Sequence, residues 1–235
     1  MILRRLFLWA IVATFVSVGV GNAAVPFDSQ VVLARYALAI DALPTPKAVI
    51  LDYALSQSAP AMIDEHHILY RSGVHVRDET ISLGGSALRQ REIHIGTRDD
   101  RYAVARLAPH ADVYGFVFVR KLRQGHAVGY LYEAVPLIRQ ATGFVVDSMI
   151  IDARSNLPTT IRFSTISPNA HGHGEILYER AGKFWMPTKA TIAATVNGKP
   201  ARETISFGAY RFPNELPSGT FLSPKPLPQL SLPTF

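Results

Sequence analysis

An Asn-Gly pair between two long alternating runs is the feature that most constrains how this chain can fold. Asn197-Gly198 lies within the stretch 175–212, and such a pair is the strongest short-range signal for a β-hairpin. The two-residue turn predicts these pairs: Val196 with Lys199, Ala194 with Ala201, Ala190 with Ile205, Thr188 with Phe207 and Met186 with Ala209. This register collects apolar side chains on one face, with Glu203 as the exception, and a one-residue slip would exchange the faces.

Two residues that suit regular strands poorly face each other in this register. Pro187 has no amide hydrogen to donate, and Gly208 weakens a strand because it has no side chain to pack. We therefore expect a bulge or kink at this point, where the sheet bends.

The first residues have the composition of an export signal. Arg4 and Arg5 precede an apolar run, residues 6–20, that is too short for a comfortable membrane span, and small residues follow it. We expect residues 1–24 to be a cleaved signal peptide and the mature protein to be soluble and periplasmic or otherwise exported; an uncleaved N-terminal anchor is the alternative. Because the sequence has no cysteine, disulfides and a lipidated N-terminal cysteine are excluded.

The rest of the chain predicts one domain with a single long helix followed by strands. A helix is expected over residues 28–42, capped by Asp28 or Ser29, before prolines stop it. The strand candidates are residues 48–57, 63–70, 74–83, 92–95, 112–120, 127–135, 143–152 and 159–167, ahead of the opening hairpin. Residues 121–126 and the glycine-rich 168–174 are expected to be turns. Short connections without intervening helices predict an antiparallel meander of about ten strands, a mainly β (α+β) fold.

Composition sets the domain limits and the broad class of partner. The chain is 48% hydrophobic and 18% charged, as in globular proteins, and we expect a domain over residues 25–213 and a proline-rich tail over 214–235. The net charge is +6, of which the expected signal supplies two, and the remaining mild excess, mostly arginine, favours contact with anionic surfaces such as phospholipid headgroups. Basic residues do not alternate with aromatic ones in any run, so no nucleic-acid partner is predicted.

The strand candidate 112–120 is apolar on both faces. One face carries Tyr114, Phe116 and Phe118, the other carries Val113, Val117 and Val119, and the hairpin partner adds Tyr130 and Tyr132. Because both faces are apolar, neither is expected to meet water, and one helix can cover only one of them. Two alternatives stay open: an apolar cavity that takes a ligand, or a plain core in which helix and curled sheet fill the space.

Residues that could carry catalysis or bind a metal show no convincing pattern. His66 and His67 are adjacent and would point to opposite faces of a strand, whereas His171 and His173, in a predicted turn, could both reach one ion. No acid stands at ligand spacing on a defined element, and residues 84–88 (GGSAL) lack the second glycine of a nucleophile elbow. Asp78 and Glu79 are interpreted as strand-face charges with arginine partners. We predict no metal, no cofactor and no catalytic residues.

The order of elements and several local motifs resemble a known family. After the signal and the helix come residues 68–73 (ILYRSG) and Arg77, then residues 152–158 (DARSNLP), 183–187 (KFWMP) and 207–212. This pattern resembles the periplasmic lipoprotein-carrier superfamily (LolA/LolB-like, including outer-membrane lipoprotein-sorting proteins) over roughly residues 28–212. The resemblance implies a curved antiparallel sheet forming an incomplete β-barrel, covered by helices, whose apolar interior takes acyl chains without catalysis.

The resemblance and the apolar strand together give a set of expected ligand contacts. They are Arg71, Tyr114, Phe116, Phe118, Tyr130, Tyr132 and Trp185. Arg71 is the best match to an arginine that contributes polar contacts near the cavity of the carriers. The expected partners are acyl chains of lipids or lipoproteins, with transient contact to a membrane-bound donor or acceptor, and the expected oligomeric state is a monomer.

Other classes of function are kept as alternatives to the carrier. An envelope sensor or interaction protein could use the same fold to regulate a partner. An outer-membrane barrel would suit the terminal Phe235, but the prolines before it leave no closing strand. A hydrolase is the weakest alternative, because the sequence offers neither a nucleophile motif nor an acid pair.

Overall fold

The computed structural model describes residues 27–98, 102–138, 143–167 and 170–222. The expected signal peptide and residues 223–235 of the tail lie outside this part of the chain. The helices are α1 (Ser29–Asp41) and α2 (Val104–Leu107). The strands are β1 (Ala48–Ala59), β2 (Ile63–Ser72), β3 (His75–Leu83), β4 (Ser86–Thr97), β5 (Tyr114–Gln124), β6 (Ala127–Pro136), β7 (Gly143–Asp152), β8 (Pro158–Ser167), β9 (Ala170–Ala181), β10 (Phe184–Val196) and β11 (Lys199–Arg211).

All eleven strands form one antiparallel sheet whose order is β4-β3-β2-β1-β11-β10-β9-β8-β7-β6-β5. Strands β4 and β5 are its two edges. One face of β6 through β11 contributes to a single buried core with α1, so the sheet curves around the helix; we call this face the inner face. The predicted fold class, a curved antiparallel sheet forming an incomplete barrel with an N-terminal helix over it, is confirmed.

The opening hairpin forms with the expected turn and register. Asn197 and Gly198 both have positive φ, 50° and 77°, as a type I′ turn requires. The ladder contains the predicted pairs Val196–Lys199, Ala194–Ala201 and Ala190–Ile205. It ends at Lys189 and Ser206, so the two further predicted pairs are not part of it.

The ladder ends there because the sheet is irregular where the kink was expected. The register of β10 against β9 shifts between Pro187 and Lys189. The register of β11 against β1 shifts at the level of Gly208, where β1 passes from Leu51 to Tyr53. A β-carbon on Gly208 would lie 2.9 Å from the carbonyl oxygen of Asp52. Both residues therefore lie where the strands bend.

Four local expectations are wrong. The strand expected over residues 92–95 is longer, because β4 runs from Ser86 to Thr97. β5 extends to Gln124, so the connection to β6 is a tight turn at Gly125-His126 rather than residues 121–126. Residues 170–174 belong to β9 rather than to a turn. Strand positions 172 and 174 are glycine because the neighbouring backbone passes close: a β-carbon would lie 2.8 Å from Ala193 O at Gly172 and 2.7 Å from Thr191 O at Gly174. The short helix α2 was not expected at all.

Helix α1 lies against the inner face along one stripe. The Asp28 side chain caps it by accepting a hydrogen bond from the Gln30 amide at 2.9 Å. Val32, Tyr36 and Ile40, spaced one turn apart, are buried against the sheet. In the described part of the chain, no helix is long and apolar enough to span a membrane.

The outer face of β5 is open to solvent, contrary to expectation. Val113, just before β5, and Val117 and Val119 within it are 44%, 53% and 43% exposed. The sequence argument that neither apolar face would meet water is therefore wrong for this face. The physical reason is that α1 covers the inner face, while no described element packs over these valines.

The first residues of the tail pack on the domain. Arg77 on β3 donates a hydrogen bond to the carbonyl oxygen of Thr220 at 3.0 Å, and the Phe221 ring lies 5.7 Å from the His75 ring. Residues 220–222 thus cover part of the outer face of β3. The domain limits given above stay a prediction.

Candidate ligand-binding cavity

A small, mainly apolar cavity lies on the inner face of the strands around β1. Its volume is about 240 Å³, and we call it the inner cavity. Its lining includes Val49, Leu51, Tyr53 and Leu55 of β1, Leu69 and Arg71 of β2, Ile205, Phe207 and Tyr210 of β11, and Tyr102 and Arg98 from the connection to α2. The residues of β1 alternate along the strand, because every second side chain of a strand points to the same face.

A larger chamber adjoins the inner cavity. This outer chamber has a volume of about 550 Å³. The loop 43–46, the β2–β3 turn, α2 and the start of β10 line it. Both volumes share Arg71, Arg98, Met186 and Pro187 as wall residues. The outer chamber lies within the range of about 300–1,000 Å³ that is typical of ligand pockets, and the inner cavity is smaller.

Two of the seven expected ligand contacts line this pair of volumes. Arg71 lies opposite Val49 in the sheet and stands at the junction of inner cavity and outer chamber. Trp185 lines the outer chamber. Its indole Nε1 donates to the carbonyl oxygen of Pro158 at 2.8 Å, which fixes the orientation of the ring.

The other five, Tyr114, Phe116, Phe118, Tyr130 and Tyr132, lie at the far end of the sheet, beneath α1. The Phe118 ring is 4.4 Å from Phe27 and 5.6 Å from Tyr132. The Phe116 ring is 6.4 Å from Tyr36 of the helix. Tyr114 and Phe116 line a groove beside α1. Helix α1 thus packs over the aromatic side chains at β5 and β6 and leaves a groove beside it, whereas the inner cavity lies at β1 and β2.

A polar cluster that the sequence did not reveal lies beside the inner cavity. The Tyr53 hydroxyl donates to Asp78 Oδ2 at 2.7 Å, and the Tyr53 ring stacks on His67 at 4.5 Å. His67 Nδ1 is 3.2 Å from Asp78 Oδ1, and its Nε2 is 3.1 Å from Glu65 Oε2. His67 and Asp78 are buried. Tyr53 thus links the cavity wall to a histidine held between two carboxylates.

The contacts within this cluster shift the pKa values of its members. Burial alone would lower the pKa of His67, but hydrogen bonds and charges from Asp78 and Glu65 outweigh it and raise the pKa above its usual value. Burial opposes ionisation of Asp78 as well, yet its bonds to His67 and Tyr53 hold its pKa below the usual range. Burial, followed by the bond to Asp78, raises the pKa of Tyr53. The arrangement favours a charged His67–Asp78 pair.

The Ser72-Gly73 turn, treated as the Asn-Gly turn was treated, could have placed Asp78 near His67, but Tyr53 also needs the register of β1 and β2. The β1–β2 ladder places Tyr53 opposite His67, and the β2–β3 ladder places Asp78 two pairs along from His67, on the same face of the sheet. The interpretation of Glu79 as a charge with arginine partners agrees with its contacts at 2.6 Å to Arg77 and Arg91. Glu79 is nevertheless buried.

The histidines considered for a metal site lie elsewhere. His171 and His173 are exposed on β9, and not in a turn as expected. His66 and His67 point to opposite faces, as predicted, because they are adjacent in β2. Across the described ranges, no three His, Asp or Glu side chains are grouped so that they could hold a metal ion.

Comparison with known proteins gives likenesses of structure alone. No family profile and no curated protein matches the sequence. A solved LolA superfamily protein from Nitrosomonas europaea is similar with a TM-score of 0.43 and 11% identity, over 84% of this chain and 98% of that one. A DUF1329 family protein from Desulfovibrio piger gives 0.44 and 11%, over 81% and 96%. The MucA/MucB complex of Pseudomonas aeruginosa gives 0.26 and 12%, over 83% and 96%.

The strand order, the open sheet and the N-terminal helix described above establish the fold by themselves. At such identities and TM-scores, no ligand or partner carries over to this chain.

Proposed function

We propose that this protein is an exported carrier that binds the acyl chain of a lipid or lipoprotein and releases it unchanged. The observation that carries the proposal is the mainly apolar inner cavity, joined to a larger chamber through shared wall residues. The resemblance of the sequence to lipoprotein carriers supports the same class of cargo.

The physical basis is burial of hydrocarbon. An acyl chain gains about 0.8 kcal/mol for each CH₂ group removed from water, so it needs no specific polar contacts along its length. Leu51, Leu69 and Phe207 supply apolar and aromatic wall on three neighbouring strands. Arg71 and Arg98 at the junction place guanidinium groups near the polar end of a bound amphiphile.

The five aromatic residues beneath α1 are proposed as a second segment of wall. Their rings contact the helix and its N-terminal flank, Phe27. A chain longer than the inner cavity would reach them only if α1 moved away from the sheet. We therefore assign the first contacts to the inner cavity and Arg71, and later contacts to Tyr114, Phe116, Phe118, Tyr130 and Tyr132.

Filling the inner cavity is expected to weaken acyl binding at least tenfold. Leu69→Trp adds a large side chain to the cavity wall, where it takes the space of the ligand. The measurement is a titration of delipidated protein with a fluorescent fatty-acyl probe. The matched control is Val117→Trp on the exposed outer face of β5, which is expected to leave the affinity unchanged. Failure of the folded wild type to bind the probe, or equal binding by Leu69→Trp, would contradict the proposal.

One observation favours a second candidate, an envelope sensor that regulates a protein partner. The exposed valines of β5 lie on an edge strand, and exposed apolar edge strands are common sites of strand addition by another chain. A sensor of this kind would use the same cavity, and the partner would bind at β5. Loss of partner binding in Val117→Lys, with acyl binding intact, would identify this role.

A further inference from the structure

Three turns between strands lie at the same end of the sheet. They are the β5–β6 turn at Gly125-His126, the β7–β8 turn at residues 153–157 and the β9–β10 turn at Gly182-Lys183. In an antiparallel meander, alternate turns fall at the same end. The β2–β3 turn at Gly73-Val74 also lies at this end, since β1 and β11 continue the same alternation.

Direct contacts hold these turns together as one surface. The amide of Ala153 donates to the carbonyl oxygen of Val128 at 2.9 Å, so the β7–β8 turn meets the β5–β6 hairpin. The Trp185 indole bond to Pro158 joins the start of β10 to the end of the β7–β8 turn. The turns are therefore neighbours in space as well as in topology.

Several exposed cations lie at this end of the sheet. They are Arg120, Lys121, Arg123, Arg154, Arg180 and Lys183, and we call them the basic rim. Asp152, an acid in this region, uses its Oδ2 to accept bonds from the amides of Arg154 and Ser155 at 3.2 and 2.7 Å. Glu179 and Asp41 are exposed acids on the same side. The six cations outnumber these acids, so the surface carries a net positive charge.

At the opposite end of the sheet, the balance of cations and acids is different. The cations there are Arg89, Arg91, Lys199 and Arg202, and the acids Asp64, Glu65, Glu92 and Glu203 lie among them. Positive charge in the described residues is thus concentrated at one end of the sheet, and it is not spread evenly over the surface.

The outer chamber opens at the basic end. Its lining includes the loop 43–46, Gly73, Val74 and Trp185. Val74 is 52% exposed, and Trp185 lies two residues from Lys183 of the rim. The same face therefore presents cations and the entrance to an apolar volume.

We propose that this end of the protein docks on an anionic phospholipid surface through the basic rim, with the entrance of the outer chamber turned toward the lipid. The inference deepens the proposed carrier function and rests on it for the nature of the cargo. Cations near an anionic bilayer strengthen binding by roughly fivefold each, and salt screens this attraction within about 10 Å at moderate ionic strength. An acidic protein is the competing occupant.

Co-sedimentation of the expected mature protein, residues 25–235, with lipid vesicles tests the inference. The probes are vesicles of phosphatidylcholine with and without phosphatidylglycerol. The wild type is expected to bind the anionic vesicles, to bind the neutral ones far more weakly, and to dissociate when salt is raised. The triple variant Arg120→Gln, Lys121→Gln, Arg123→Gln is expected to lose roughly 100-fold in affinity. The matched control, Arg89→Gln, Lys199→Gln, Arg202→Gln, removes the same charge from the opposite end and is expected to bind like the wild type.

The outcomes separate this inference from the carrier proposal. Equal loss in both triple variants, or no preference of the wild type for anionic vesicles, would overturn docking of the basic rim on anionic lipid. The fluorescent acyl probe, titrated without vesicles, tests the cavity alone. A triple variant that binds the probe normally but not the vesicles supports both claims. A wild type that binds the vesicles but not the probe keeps the docking surface and overturns the carrier.

Discussion

Replacing Asp78 with alanine is expected to lower the free energy of unfolding by about 3–5 kcal/mol, because it removes one partner of a buried ion pair. Asp78 accepts the Tyr53 hydroxyl bond at 2.7 Å and lies 3.2 Å from His67 Nδ1. Without it, His67 would keep Glu65 alone as its acidic neighbour, and the Tyr53 hydroxyl would lose its acceptor. Chemical denaturation monitored by tryptophan fluorescence measures the change.

The control for this substitution is Asp64→Ala on the preceding strand. Asp64 is exposed, and surface substitutions of this kind usually change stability by less than about 0.5 kcal/mol. Equal effects of the two substitutions would show that the cluster around His67 is not an important part of the fold.

The pH dependence of the Asp78→Ala effect gives a second check. The pKa of Asp78 is lowered in the folded state, so its contribution is present above about pH 4 and is lost as the pH falls through the folded pKa. The pKa of His67 is raised, so its contribution is full below about pH 6.5 and is lost as the pH rises through the folded pKa. The difference between wild type and variant is therefore expected to be largest in mildly acidic solution. A difference that does not change with pH would contradict the charged pair.

Replacing Phe118 with alanine is expected to cost about 3 kcal/mol of stability, because the ring is part of the packing beneath α1. Phe118 contacts Phe27 and Tyr132, with ring centroids 4.4 and 5.6 Å apart. If the Phe118 ring lined an empty cavity instead, it would have fewer packing contacts, and its removal would cost less stability. The measurement is again the denaturation midpoint, at constant slope of the transition.

Val117→Ala on the same strand is the matched control for Phe118→Ala. Val117 points to the outer face and is 53% exposed, so its truncation is expected to change stability by less than about 0.5 kcal/mol. A large cost at Val117 would mean that another part of the chain or a second molecule covers the valine face, as the sequence argument first required.

The hairpin around Asn197-Gly198 shows what the sequence could predict. Turn chemistry and alternation act on neighbouring residues, so together they fixed the register of β10 and β11. Pro187 and Gly208 likewise marked the bend, because each has a local backbone property that regular strands do not tolerate. The helix cap at Asp28 belongs to the same class of local signals.

The face covered by α1 could not be predicted in the same way. Alternation in residues 112–120 shows that two faces are apolar, but not which of them the helix occupies. The structure leaves Val117 exposed and buries the aromatic side under the helix. For the same reason, most of the ligand contacts were predicted on β5 and β6, whereas the inner cavity lies at β1 and β2.

The polar cluster was missed because its members are distant in sequence. Tyr53, His67 and Asp78 come from three strands, and the register of two hairpins is needed to bring them together. Read singly, each residue is an ordinary polar position in an alternating strand. Glycines at 172 and 174 were assigned to a turn because their role, close approach to the β10 backbone, depends on a strand pairing that local sequence does not show.

Photochemical cross-linking tests the central claim, acyl binding in the inner cavity, most directly. A fatty acid with a photoreactive group at the end of its chain would be bound to delipidated wild-type protein, irradiated, and located by mass spectrometry of peptides. The account predicts labels on Leu51, Leu69 and Phe207 that excess unlabelled fatty acid removes. Labels confined to the exposed valines of β5, or labels that excess fatty acid leaves in place, would contradict it.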